Sequence, residues 1–127
     1  MRAGGRAPTL LIVDDEARIL SALHRSLRRE GWRVLTAGTA GEALRLLDDE
    51  PIDAVLSDHK MPRNNGLDVL EAAAQRRPNA ARLLISGWPD EIPAERLAAL
   101  GVRALIPKPW DDAELKRILR EALKART

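Results

Sequence analysis

The sequence contains no cysteine, no tyrosine and no phenylalanine. The first absence excludes a disulfide framework and any thiolate metal site. It fits a cytoplasmic protein. The other two leave three tryptophans as the whole aromatic complement, which is poor material for a base-stacking platform. No run approaches the roughly 18 apolar residues that a membrane-spanning helix needs. The opening "MRAGGRAP" has no apolar stretch of its own and does not read as a secretory signal. Charge of one sign is also scarce, since 21 basic and 19 acidic residues leave only +2. Arg2 and Arg6 carry that excess within the first eight residues, where no acid occurs. Residues 1–8 therefore read as a basic tail, and 9–125 as one electrically balanced domain. A basic stripe of the kind that binds nucleic acid is not evident.

What the chain has is alternation. "TLLIV" (9–13) is a short, continuous apolar run, as expected of a strand buried on both faces. Residues 16–29 then place Leu20, Leu23 and Leu27 on one helical face, and Gly31 stops them. "WRVLT" (32–36) predicts a second strand, and "AGEALRLLDD" (40–49) a helix with Ala43, Leu44 and Leu47 inward. "DAVLS" (53–57), "RLLIS" (82–86) and "VRALI" (102–106) predict three more strands. A helix over 66–77 separates the first two of these. The clearest helix is 111–124, with Asp111 as cap and Glu114 three residues on, the pattern of a capping box. The fourth helix is anomalous. Two prolines in "GWPDEIPAERLAALG" predict a loop over 87–92 and a short helix over about 93–100, with Pro93 at its start. Five strands alternating with five helices imply a parallel sheet covered on both faces. In such sheets ligands sit at the carboxyl ends of the strands, near the point where strand order reverses.

The predicted strand tips carry a chemically coherent set. Asp14 and Asp15 follow strand one, Asp58 follows strand three, Ser86 ends strand four and Lys108 follows strand five. Three carboxylates close together repel one another, and a divalent cation would relieve this. Oxygen ligands alone favour Mg²⁺. A carboxylate in such a pocket can attack phosphorus and form an acyl phosphate. Transfer then needs positioning and neutral balance for the phosphoryl oxygens, which Mg²⁺, the Ser86 hydroxyl and the Lys108 ammonium could share. Taken alone, Asp14 and Asp15 read more readily as acids at the positive end of helix one, and only beside Asp58 and Lys108 does the site reading prevail. Ser86 alone is uninformative. His59 is read as lining the pocket beside Asp58 rather than as a ligand or phosphodonor, and His24 belongs elsewhere on helix one.

In order and at these positions, "LLIVDDE", "LSDHKMPRNNGLDVL", "LLISG" and "PKPW" resemble the receiver domains of two-component response regulators, the CheY-like superfamily. The resemblance runs from about Leu10 to Leu123. It implies a flavodoxin-like (βα)5 three-layer sandwich, with parallel strands in the order 2-1-3-4-5 and, here, a shortened fourth helix. It implies that Asp58 is the phosphoacceptor, that Asp15, Asp58 and the Lys60 backbone carbonyl hold Mg²⁺, and that Asp14 holds a metal-bound water. Ser86 matches the family's switch hydroxyl and Lys108 its lysine, with a cis peptide before Pro109. Lys60 and Trp88 match positions that tune dephosphorylation. One departure is Leu105, where many receivers carry a Tyr or Phe that turns inward on activation.

The implied function is a phosphoacceptor switch, not an enzyme beyond its own phosphorylation and dephosphorylation. The implied partners are a histidine kinase and a downstream effector or fused output domain. Homodimerisation through helix four, strand five and helix five is the family's habit. Neither direct nucleic-acid contact nor a membrane is expected. Two other classes compete. One is a degenerate receiver that binds partners without being phosphorylated, although such domains usually lose an acid or the lysine. The other is an aspartyl phosphohydrolase, which would want an acid where Lys60 stands. A flavin protein of similar topology would want a small-residue phosphate loop where "DDEAR" stands. The chain ends just after its last helix, so it reads either as a stand-alone receiver or as the receiver piece of a longer regulator.

Overall fold

The computed structural model describes residues 6–61 and 65–125. Arg2 of the expected tail and Pro62 of the loop after the third strand fall outside them. The elements run β1 (Thr9–Val13), α1 (Ala17–Leu27), a 3-10 turn (Arg28–Glu30), β2 (Arg33–Ala37), α2 (Ala40–Asp49) and β3 (Ala54–Asp58). They continue with α3 (Gly66–Arg76), β4 (Ala81–Ser86), a second 3-10 turn (Pro89–Glu91), α4 (Ala94–Ala99), β5 (Val102–Pro107) and α5 (Asp112–Ala125). All strand pairs are parallel, and the order is β2-β1-β3-β4-β5. This is the flavodoxin-like order that the resemblance implied, with a short α4.

Strand periodicity divides the core into two halves. In β1, Leu10 and Ile12 point to one face and Leu11 and Val13 to the other. The first pair packs with Leu23 and Leu27 of α1 and with Leu115 and Leu119 of α5. The second packs with Ala43 and Leu47 of α2 and with Val69 and Leu70 of α3. β1 and β3 are buried along their whole length because each has a strand on either side and helices above and below. Burying each such leucine is worth about 1.5–3 kcal/mol. Arg6 lies against the domain, its guanidinium 2.8 Å from the Asp53 carboxylate.

Local chemistry sets the boundaries. Gly31 closes the turn after α1 at φ 88°, a conformation that glycine adopts without a Cβ penalty. The Thr39 hydroxyl caps α2 by accepting from the Glu42 N–H, and Asn65 caps α3 by accepting from Leu67. Three details differ from the sequence reading. Leu46, not Leu44, packs with Ala43 and Leu47, the two leucines standing three and four residues after the buried Ala43. The Asp111 carboxylate does accept from the Glu114 N–H, but Glu114 turns to Arg117 at 2.6 Å instead of reaching back. The 87–92 connection is not all loop, since Pro89–Glu91 forms a 3-10 turn.

Candidate functional site

The tips of β1, β3, β4 and β5 stand side by side along one edge of the sheet, and the strand order reverses between β1 and β3. α1 leaves on one face and α3 packs on the other, so a crevice opens there. Asp14 follows β1 directly. Its amide is tied to the Ala37 carbonyl of β2 at 3.1 Å, and its Oδ1 accepts from the Glu16 N–H at 2.8 Å. The reading of Asp14 as a helix-start acid is thus true locally, yet its side chain is also buried in the crevice. Asp15 is exposed beside it.

Asp58 is the last residue of β3 and is only 6 % exposed. Its Oδ1 lies 2.7 Å from the Lys108 Nζ. Lys108 reaches in from the end of β5, anchored by its amide on the Ser86 carbonyl at 2.9 Å, and the Lys108–Pro109 peptide is cis. Asp14, Asp15 and Asp58 each present a carboxylate oxygen within 4.8 Å of the others. This spacing suits one small cation, since opposed ligands on Mg²⁺ lie about 4 Å apart.

Ser86 ends β4 and is fully buried. Its Oγ accepts from the Trp88 N–H at 2.9 Å and lies 2.9 Å from His59 Nδ1. His59 is itself buried, and its amide donates to the Ile85 carbonyl. Burial, then the Lys60 charge, pushes its imidazole pKa down, against the pull of Asp58 and Glu91. Lys60 is exposed at the rim, paired with Glu91 at 2.7 Å and 4.5 Å from the centroid of the Trp88 ring. His24 is exposed on α1.

Gly66, which the sequence reading passed over, backs the site. It opens α3 against the tip of β3, and its N–H donates to the His59 carbonyl at 2.7 Å. The sole signal for it in the sequence is a glycine directly after the capping asparagine of "NNG".

The sequence matches the family described as "Response regulator receiver domain" over residues 10–120. The chain belongs to that family. The receiver is 37 % identical over 117 residues to the hydrogenase transcriptional regulatory protein HoxA of Bradyrhizobium diazoefficiens, covering 91 % of this chain and 24 % of that protein. It is 35 % identical over 115 residues to the transcriptional regulatory protein CpxR of Escherichia coli K12, covering 91 % and 49 %. The receiver therefore spans between a quarter and a half of these regulators. A CheY-like receiver domain protein from Methanospirillum hungatei superposes with a TM-score of 0.85 at 31 % identity, covering 94 % of this chain and 95 % of that one. Receiver domains are parts of two-component systems, where they pair with histidine kinases, and they are not classical enzymes. No helix among the described residues is long and apolar enough to cross a membrane.

The electrostatics of the receiver's pocket fit an acidic triad that could hold a metal ion. Burial, helped by the charges of Asp58 and Asp15, lifts the Asp14 pKa to about 6, although the Glu16 N–H and Lys108 pull it down. Lys108 shows the converse. Burial alone would push its ammonium down, but the Asp58 hydrogen bond and the Asp58 and Asp14 charges hold it above the usual lysine value.

A pH dependence follows from Asp14. Below about pH 4 its carboxyl is protonated in both folded and unfolded chains. Between about 4 and 6 only the folded state keeps the proton, so raising the pH there lowers stability, and above about 6 the loss is complete. Asp14→Asn should therefore stabilise the metal-free protein at pH 7.5 by about 1–2 kcal/mol, half the dry-interior value because the pocket meets water. Urea unfolding in EDTA from pH 4 to 8 measures this. The wild-type midpoint should fall across that range more than the variant's. Parallel curves would remove Asp14 as the cause.

Proposed function

We propose that the chain is a phosphoacceptor signalling switch in which a phosphoryl group is transferred to Asp58 from a histidine kinase or a small phosphodonor. The observation that carries this reading is the Asp58 carboxylate, buried at a strand tip, held by Lys108 and flanked by Asp14 and Asp15. An Asp58 oxygen attacks phosphorus as the bond to the donor's imidazole nitrogen breaks. The imidazole keeps the bonding electron pair and takes a proton, and an acyl phosphate forms on Asp58. Lys108 stays with the phosphoryl oxygens it meets there, and Ser86 supplies a hydroxyl proton to another. Mg²⁺, held by Asp15, Asp58 and the Lys60 carbonyl, with Asp14 acting through water, would supply positive charge against the phosphoryl oxygens when bound.

The phosphoryl group then biases an existing conformational equilibrium and changes affinity for partners. The listener would be an effector or an output domain, in line with the transcription regulators among the relatives. Dimerisation through α4, β5 and α5, a cytoplasmic location and a domain covering 9–125 belong to the same reading.

The test is intact-mass measurement after incubation with Mg²⁺ and acetyl phosphate. One phosphoryl addition is expected in the wild type and none in Asp58→Asn. Equal labelling of the variant would move the acceptor elsewhere. No labelling of a folded wild type would favour the unphosphorylated binding module.

A further inference from the structure

The Ser86 hydroxyl already has its hydrogen bonds in use. A serine hydroxyl owns one proton and two acceptor sites. Ser86 is fully buried, and its Oγ has two described partners, the Trp88 N–H and His59 Nδ1, each at 2.9 Å. The Trp88 amide can only donate. If His59 Nδ1 also carried a proton, Oγ would receive two donors and the serine's own proton would point at no acceptor. A buried donor left unpaired costs about 1–3 kcal/mol. The arrangement that satisfies every group has Ser86 O–H donating to a bare Nδ1. His59 Nε2 has no protein partner among the described residues, and no buried side-chain nitrogen there lacks one. Nε2 therefore meets water, which readily accepts from an N–H. The pairing is built by the sheet: Asp58 stands opposite Ile85 in the β3–β4 register, so the next residues on each strand, His59 and Ser86, face each other.

We propose that His59 is a positioning residue that competes with a phosphoryl group on Asp58 for the single proton of Ser86. This rests on the reading of Asp58 as phosphoacceptor and deepens it. In the unmodified domain the proton is given to His59. To reach a phosphoryl oxygen, Ser86 must release Nδ1, and the free energy of that bond is subtracted from the switch. His59 thus sets how strongly modification must pull before Ser86 turns. No bond to Asp58 is made or broken by His59 itself.

The test uses beryllofluoride with Mg²⁺ as the phosphoryl mimic. His59→Leu removes the acceptor and should tighten beryllofluoride binding about fivefold, the worth of one ordinary hydrogen bond. His59→Asn, whose side-chain oxygen can accept in place of Nδ1, should return affinity toward wild type. In a Ser86→Ala background, His59→Leu should change nothing, because the contested proton is gone. The same gain with and without Ser86 would overturn the proposal and leave His59 a packing residue. A second readout is free of any folding loss in the variants. Imidazole ¹⁵N NMR of the unmodified wild type should show Nδ1 unprotonated and Nε2 protonated. The opposite tautomer would overturn the proposal. A wild type that binds no beryllofluoride and takes no phosphoryl group, yet shows the expected tautomer, would sink the phosphoacceptor reading and the competition built on it. The His59–Ser86 bond would stand as structure alone.

Discussion

Gly66→Ala is expected to lower stability by about 3 kcal/mol or more, the upper end of what overpacking a packed interior costs, and to reduce Asp58 phosphorylation at least a hundredfold. A Cβ at Gly66 would overlap the Asp58 carbonyl oxygen, and would sit 2.9 Å from the Asp58 carbonyl carbon and 3.0 Å from Ser57 Oγ. The first two are main-chain atoms of a strand tip and cannot swing aside. The glycine cannot retreat easily either. Its N–H is bonded to the His59 carbonyl, and Lys60 bridges to Asn65 just ahead of it. Relief must come from pushing α3 away from β3 or displacing Asp58. Displacement by about an ångström breaks the 2.7 Å contact with Lys108, and misplacement of that size costs about a hundredfold in a positioned reaction. Urea unfolding and the rate of acetyl phosphate labelling measure the two effects. Wild-type values for both would mean that α3 shifts freely, contrary to its packing through Val69 and Leu70.

The second large effect is expected from Lys108→Ala. Among the described residues the lysine is the one ammonium bonded to Asp58, and it faces a pocket with three acids. Its loss removes a preorganised charge from the place where phosphoryl oxygens would gather, an effect worth about a hundred- to a thousandfold in rate. It should also lower stability at pH 7.5 without metal by about 1–3 kcal/mol. That is less than a fully buried pair would lose, because Lys108 keeps 28 % of its side-chain exposure. Mg²⁺ binding should move the other way and tighten, since the competing cation is gone. Lys108→Arg should not restore the rate, because a planar fork does not replace a compact ammonium in a fixed slot. Calorimetric Mg²⁺ titration and phosphorylation rates distinguish these effects. A variant with a normal rate and weaker Mg²⁺ binding would reverse the assignment of Lys108.

The acid pocket was legible in the sequence because it depends on where strands stop. Apolar runs ending in Asp14, Asp58, Ser86 and Lys108 mark four tips, and a parallel sheet must bring tips to one edge. The strand order was not legible that way. It came with the family resemblance, since local periodicity is the same in any order. The His59–Ser86 bond depends on the register between β3 and β4, and 27 residues separate the pair. Gly66 is a similar case, since an "NNG" turn looks alike whether its glycine touches solvent or a neighbouring carbonyl. The stripe on α2 was misread at one residue because Leu44, Leu46 and Leu47 are chemically equal and only packing chooses among them.

The contact at the rim of the pocket has a spectroscopic consequence. With no tyrosine or phenylalanine in the chain, all intrinsic near-ultraviolet emission comes from indole. Trp32 and Trp110 pack against the core, while Trp88 is 54 % exposed with the Lys60 ammonium 4.5 Å from its ring centroid. An ammonium so close perturbs the indole excited state, and Lys60 lies two residues beyond Asp58 while Trp88 lies two residues beyond Ser86. The protein thus carries its own optical probe at the rim of the pocket, and needs no attached dye to report on it.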